Sequence, residues 1–127
     1  MAARSPEELD RLFAEGLNAG DLDALTALYE PNAALTAQPG HVVTGTHAIR
    51  EALRQFLAAR PTLTVDVKIL AQTGDIALTS ARWELAGTAP DGTPVKMAGH
   101  SAEVSRRQAD GTWRFVIDTP WGLEWNA

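Results

Sequence analysis

From Thr62 onward the apolar residues recur at every second position. Leu63, Val65, Val67 and Ile69 alternate with Thr64, Asp66, Lys68 and Leu70. That is the period of a strand with one buried face. Turn signals then punctuate the chain at Gly74-Asp75, Pro90-Asp91-Gly92 and Asp110-Gly111. They delimit strands over Ile76–Leu85, Val95–Gln108 and Trp113–Thr119. Four long strands joined by tight turns predict an antiparallel meander. Its apolar face has to be covered by something else in the chain.

The first half supplies the cover. Ser5 is a good N-cap, Pro6 suits the first helical position, and Glu8 completes a capping box. Leu9, Leu12, Phe13 and Leu17 then share a helical face, which Gly20 ends. Asp21 caps a second, short helix with Leu22, Leu25, Leu28 and Tyr29 as its stripe, stopped by Pro31-Asn32. Ala33–Thr36 and Val42–Thr44 read as a short strand pair around Pro39-Gly40. Thr46 caps a third helix carrying Ile49, Leu53, Phe56 and Leu57, closed by Arg60-Pro61. The order is α+β, and residues 1–127 read as one domain.

Composition removes several classes of function. The net charge is −5 and the only adjacent basic pair is Arg106-Arg107, so no phosphate-tracking surface is expected and no nucleic-acid partner. The absence of cysteine excludes disulfides, thiolate nucleophiles and Cys-ligated metals. His41, His47 and His100 show no ligand spacing, so no metal is expected. No Gly-rich phosphate loop supports a nucleotide, and no cofactor of any kind is expected. The N-terminus lacks a signal-peptide core and no segment reaches the ~20 apolar residues of a membrane span. The expected location is the cytoplasm, away from membranes.

Several segments resemble one superfamily. They are Asn18-Ala19-Gly20-Asp21-Leu22-Asp23-Ala24-Leu25, then Leu28-Tyr29-Glu30-Pro31-Asn32-Ala33, Gly45-Thr46-His47-Ala48-Ile49-Arg50, and the last hairpin from Arg106 to Arg114 with Ile117-Asp118-Thr119-Pro120. Together they resemble the NTF2-like proteins of ketosteroid-isomerase-like and SnoaL-like type. The resemblance implies an NTF2-like cone, with three N-terminal helices packed on a curved antiparallel sheet around one pocket. That superfamily hosts isomerases, polyketide cyclases, dehydratases, epoxide hydrolases and non-catalytic association domains, so the fold does not name a reaction. In the isomerases an aspartate moves a proton beside a steroid carbonyl, while a tyrosine and a protonated aspartate stabilise the enolate. Carried onto this chain, the base falls near Ala37, the tyrosine at Phe13 and the oxyanion aspartate at Glu103. Only the last keeps a carboxyl group.

Counting strand faces back from Asp110-Gly111 puts Gly99, Ser101 and Glu103 inward, with Arg114, Val116 and Asp118 inward on the next strand. Two carboxyls in an apolar pocket raise each other's pKa, which lets one act as acid and the other as base. Glu103 and Asp118 are therefore the candidate catalytic pair. Phe13 and Val116, and by the resemblance Trp83, would wall the cavity, with Tyr29 offering a hydroxyl and Ser101 and Arg114 further polar contacts. Each residue also has a plainer reading. Glu103 could pair with Arg114, Asp118 could bond backbone amides near the turn, Trp83 could be core, and Tyr29 could simply pack its ring. His100 should face outward.

The outer face would carry Trp113, Phe115 and Ile117 with Val104 nearby, a row that needs cover. A homodimer through this face is expected, as in many members of the superfamily. An apolar tail of Trp121, Leu123 and Trp125 would cover the pocket mouth or the partner. The leading expectation is a cofactor-independent acid–base enzyme of isomerase, cyclase or dehydratase type, acting on a small apolar carbonyl-containing molecule. The rival is a ligand-binding or association module. An epoxide hydrolase built on Arg82, Glu84 and Asp118 is a third possibility, but Trp83 inward turns Arg82 and Glu84 outward.

Overall fold

The computed structural model describes residues 2–122. Helix α1 spans Pro6–Ala19, α2 Leu22–Thr26 and α3 Thr46–Leu57. The strands are β1 Tyr29–Gln38, β2 His41–Thr44, β3 Thr62–Thr73, β4 Ile76–Thr88, β5 Pro94–His100, β6 Ala102–Arg107 and β7 Trp113–Thr119. They form one curved sheet in the order β2-β1-β7-β6-β4-β3, with β5 beside the far half of β4. Every pairing is antiparallel except β1 with β7, which run parallel.

Local chemistry sets the helices. The Ser5 hydroxyl accepts from Glu8 N at 3.2 Å, and Gly20 closes α1 in the left-handed region at φ 69°. Asp21 caps α2 through Ala24 N at 3.1 Å. Asn18 ties the end of α1 to the start of β3 with two bonds, donating to Leu63 O at 3.0 Å and accepting from Leu63 N at 2.6 Å. Leu9, Leu17, Leu25, Ile49 and Leu53 then bury against the concave face of the sheet with Leu35, Trp83 and Phe115.

Three sequence expectations change. Leu28 and Tyr29 are not helical, since α2 ends at Thr26 and β1 already begins at Tyr29. Pro31 sits where the β1–β7 register shifts, between Tyr29 and Ala34, and a proline without an N–H is tolerated at such an irregularity. The expected strand from Val95 to Gln108 breaks at Ser101. There the Ser101 hydroxyl accepts from Ala81 N at 2.9 Å in place of a backbone carbonyl, while Ser101 N still donates to Ala81 O at 2.8 Å. The register survives the break, because Arg82 faces His100 and Thr79 faces Glu103 in step.

The third change matters most for function. Val104 pairs with Ile117, but Ser105 pairs with Phe115, which leaves Val116 as the extra residue of a β-bulge. The bulge reverses the facing of the first half of β7. Trp113 and Phe115 point inward and are buried, whereas Arg114 and Val116 are only partly buried and leave the cavity wall. Both had been expected inside. The expected outer row of Trp113, Phe115 and Ile117 is accordingly reduced to Ile117, which is 47% exposed, with Val104 and Leu78 beside it. Ala3, near the N-terminus, forms an isolated antiparallel bridge with Trp113, its carbonyl accepting from Trp113 N at 2.9 Å.

The loop after α3 lies hard against β4. Thr88 N donates to Ala59 O at 2.7 Å, and a Cβ on Gly87 would sit 2.5 Å from that same oxygen. Gly87→Ala is therefore expected to lose about 1–3 kcal/mol of stability by forcing the loop off the strand. Denaturant unfolding of the variant checks this, and an unchanged midpoint would show that the loop moves freely.

Candidate active site

Helices α1 and α3 and the concave sheet enclose a cavity of about 80 Å³. Roughly 150 Å³ is the size of an apolar cavity that holds a benzene ring. The space is smaller than that but half-open, so a larger molecule would protrude from it. Most of the wall is apolar, with Phe13 from α1, Phe56 from α3, Val65 from β3, Trp83 and Leu85 from β4, Met97 from β5 and Phe115 from β7.

Three carboxyl groups interrupt it. Glu103 on β6 and Asp118 on β7 face each other directly across the two strands. Asp10 reaches them from α1. Exposure is 5% for Asp10, 3% for Glu103 and 5% for Asp118, so water does little to solvate any of them. Thr79 Oγ1 donates to Glu103 Oε1 at 2.9 Å, and Tyr29 Oη donates to Asp118 Oδ2 at 2.5 Å. Glu103 and Asp10 lie within hydrogen-bonding reach of each other, an interaction that lowers the proton affinity of Asp10 and raises that of Glu103. Apart from that carboxyl–carboxyl contact, Asp10 Oδ2 has no hydrogen-bond partner.

Burial is the main cause of the resulting proton affinities. It lifts Asp10 to about 7, helped by the charge on Asp118. Burial and the neighbouring Asp10 lift Glu103 to about 9. Burial and the charge on Glu103 lift Asp118 to about 8, against the lowering effect of the Tyr29 hydrogen bond. Burial and Asp118 also push the Tyr29 phenol well above its usual range. No basic side chain lines the cavity among the described residues. The expected alternative pair, Glu103 with Arg114, does not form, because Arg114 lies on the other side of β7 near Asp110.

The remaining sequence candidates fall as follows. Trp83, Phe13 and Ser101 line the cavity. Tyr29 stands behind Asp118 and holds it, rather than forming wall. Arg82, Glu84 and His100 are exposed on the outer side of the sheet. Asp10 was missed. Its signal was present, since Asp10, Phe13, Ala14 and Leu17 share one helical face and an acid within an apolar stripe is anomalous. Among the described residues no cluster has the makings of a metal site.

One end of the cavity is closed by the Thr119–Gly122 turn. Gly122 N donates to Thr119 O at 3.1 Å, and Gly122 adopts φ 60°. A Cβ on Gly122 would lie 2.5 Å from His100 O, so the turn rests on the sheet backbone at the β5–β6 break. Trp121 meets Trp83 edge-on at 5.6 Å, and Trp83 Nε1 donates to Pro120 O at 2.7 Å. Gly99 makes room for the Trp83 indole, since a Cβ there would be 3.1 Å from the ring. Of the expected covering tail, Trp121 lines the cavity, while Leu123 and Trp125 lie outside the described residues.

The carboxyl cluster makes stability depend on pH. Each of the three binds its proton more tightly folded than unfolded, so its contribution is full below the ordinary carboxylate range. It is lost as pH climbs through about 7, 8 and 9. Folding stability is expected to fall between pH 5 and 9, by about 1.4 kcal/mol per pH unit for each carboxyl that is still protonated in the folded protein. Glu103→Gln should flatten that slope. Denaturant titrations across the range check it, and a level profile in the unaltered protein would contradict the burial argument.

The comparisons with known proteins agree with this architecture. Residues 9–116 match the model of the SnoaL-like domain family. A search of the curated proteins finds no match. Among solved structures, a ketosteroid isomerase-like protein from Erwinia carotovora atroseptica superposes with a TM-score of 0.78 at 17% identity, over 93% of each chain. A candidate dehydratase of the NTF2-like family from Streptomyces avermitilis gives 0.75 at 20% identity, over 89% of this chain and 90% of that one. A candidate calcium/calmodulin-dependent protein kinase type II association domain from Thiobacillus denitrificans gives 0.74 at 22%, over 98% and 99%. At these identities the neighbours speak for the fold, and the matched sequence places the chain in the SnoaL-like domain family with an NTF2-like cone.

Proposed function

We propose that the protein is a cofactor-independent acid–base enzyme of isomerase or dehydratase type, acting on a small apolar carbonyl-containing molecule. The observation that carries this is the convergence of Asp10, Glu103 and Asp118 from three separate elements on one largely apolar cavity. Families of this fold include isomerases and dehydratases, which is consistent with the reading.

The roles follow from the hydrogen bonds. Asp118, held through Oδ2 by Tyr29, keeps its own proton near neutrality and offers it to the substrate carbonyl oxygen. The Asp10–Glu103 pair holds one proton between two carboxyls, so it accepts a second as a base of suitable strength near pH 7. In enolisation the carbon–hydrogen bond beside the carbonyl breaks and its proton passes to the pair. The electron pair moves onto the carbonyl oxygen, where Asp118 stabilises it. Return of the proton to another carbon completes an isomerisation, whereas its delivery to a departing hydroxyl completes a dehydration. The aromatic wall excludes water, which strengthens these interactions.

The test is deuterium exchange from D2O into small ketones of cyclopentenone size, followed by NMR. Glu103→Gln and Asp118→Asn should fold and slow exchange by about 10²-fold or more. Unchanged exchange in both variants would overturn the proposal.

The outer face of the sheet supports a homodimer within the same reading. Leu78, Val104 and Ile117 are adjacent across β4, β6 and β7, and Leu78 and Ile117 are 39% and 47% exposed. Charge placed there, as in Ile117→Asp, should convert a dimer into monomers in sedimentation. A monomeric unaltered protein would remove this part of the proposal.

A further inference from the structure

We infer that Trp121 sets the specificity of this site by donating its indole N–H to a second, uncharged oxygen of the substrate. The ligand class is then a small ring compound with a ketone at the carboxyl cluster and a ketone, hydroxyl or ether oxygen across the ring from it. The ketone end rests on the acid–base reading of the same cavity, and the far end is a separate recognition point.

The first ground is a spare donor. Trp121 lines the cavity, and its Nε1 is shut off from water without a hydrogen-bond partner among the described residues. An indole N–H can only donate, and a buried one ordinarily meets an acceptor. The other neutral donors of the wall are engaged. Trp83 Nε1 donates to Pro120 O at 2.7 Å, and the Ser101 hydroxyl is taken up by the backbone of Ala81. The acceptor for Trp121 is left for a ligand to supply.

The second ground is where this donor stands. Glu103 pairs with Thr79 on β4 and with Asp118 on β7, whereas Trp121 packs edge-on against Trp83, four residues further along β4. At ~3.3 Å per residue the two levels are ~13 Å apart along the strand. A six-membered ring with oxygens on opposite carbons, and a hydrogen bond of about 2.8 Å at each, covers a length of that order. The body of such a ring suits the apolar wall of Phe13, Met97 and Phe115.

The third ground is charge. Three carboxyl groups and no basic side chain line the cavity among the described residues. A carboxylate or phosphate at Trp121 would be buried beside acids with no countercharge, which is costly. An ammonium group has no lone pair with which to accept the N–H. An uncharged oxygen meets both conditions.

Engagement requires Trp121 to turn its N–H toward the open space, because the atom is covered in this structure. The turn breaks no hydrogen bond, and the ring is only partly buried. The backbone beside it is held. A Cβ on Gly122 would already lie 2.5 Å from His100 O, and Trp83 holds Pro120. The movement is thus confined to one side chain. A ligand without the second oxygen leaves the donor unpaired, so discrimination of about tenfold is expected.

The experiment is NMR titration of the unaltered protein and of Trp121→Phe with cyclohexane-1,4-dione and, separately, with cyclohexanone. Trp121→Phe keeps an aromatic ring and removes the donor. In the unaltered protein the Trp121 indole proton should move downfield with the dione and far less with cyclohexanone. The Trp83 indole proton, already bonded to Pro120 O, should show no such difference. The ratio of dione affinity to cyclohexanone affinity should fall about tenfold in Trp121→Phe. An unchanged ratio overturns the inference, and so does binding of neither compound. A Trp121 proton that responds alike to both compounds overturns it too, as does one that lies upfield and moves with neither, which would place it against the face of the Trp83 ring. If the variant fails to fold, the Trp121 resonance of the unaltered protein decides alone. Deuterium exchange into the same two ketones separates the two readings. Exchange into cyclohexanone with an unchanged ratio removes the role of Trp121 and keeps the acid–base reading. A ratio that depends on Trp121, without exchange into either ketone, keeps Trp121 as a binding determinant and removes the acid–base reading.

Discussion

The ladder that joins β4 to the bent pair β5 and β6 keeps a single register through Ser101, and the cavity depends on it. Trp83, Gly99, Ser101 and Glu103 share one face only because Arg82–His100 and Thr79–Glu103 remain in step. The Ser101 hydroxyl substitutes for one backbone acceptor at the bend, so the sheet curves without an inserted residue there. A slip of one residue would put Glu103 in water and His100 in the core. On the neighbouring strand the opposite device is used. An extra residue at Val116 lets Phe115 and Asp118 both face inward although they are three positions apart.

Those two devices also decide how far the sequence could be read. Period-two alternation from Thr62, the Ser5-Pro6 start and the glycine turns specify the element order. The facing of Glu103 follows from simple counting because no bulge intervenes between it and the β4 partner. Asp118 was placed inward by a count that also turned Arg114 and Val116 inward, and the bulge spares the first while reversing the other two. Nothing in Trp113-Arg114-Phe115-Val116-Ile117 announces a bulge, since apolar residues occupy both parities. Tyr29 looked helical because Leu25, Leu28 and Tyr29 keep a helical spacing, and tertiary pairing with Phe115 overrode it. Asp10 was visible as an acid in an apolar stripe, but its neighbours arrive from β6 and β7, which are about a hundred residues away in sequence.

The site departs from the rules that build the rest of the core. Elsewhere the core is mainly apolar, and the Ser105 hydroxyl is its one buried side-chain polar atom without a partner among the described residues. At the cavity three acids are buried without a counterion, and the indole N–H of Trp121 stays unpartnered. Such local violations cost stability and persist where they serve a purpose. Burial supplies what an acid–base site needs, namely carboxyls whose proton affinities lie near neutral pH instead of near 4.

The parallel pairing of β1 with β7 has a consequence for how the molecule assembles. The hairpins β3–β4 and β6–β7 join neighbours in sequence and close short loops. The bond from Tyr29 to Asp118 joins residues 89 apart, and β1 can dock only onto a finished β7. Contacts of such long range carry the larger loop-closure entropy and come late in folding. A nascent chain released before β7 has its helices and most of its sheet but neither Asp118 nor the aromatic wall of Phe115. The carboxyl cluster and its aromatic wall are thus completed last, and are the first to come apart when the β1–β7 seam opens.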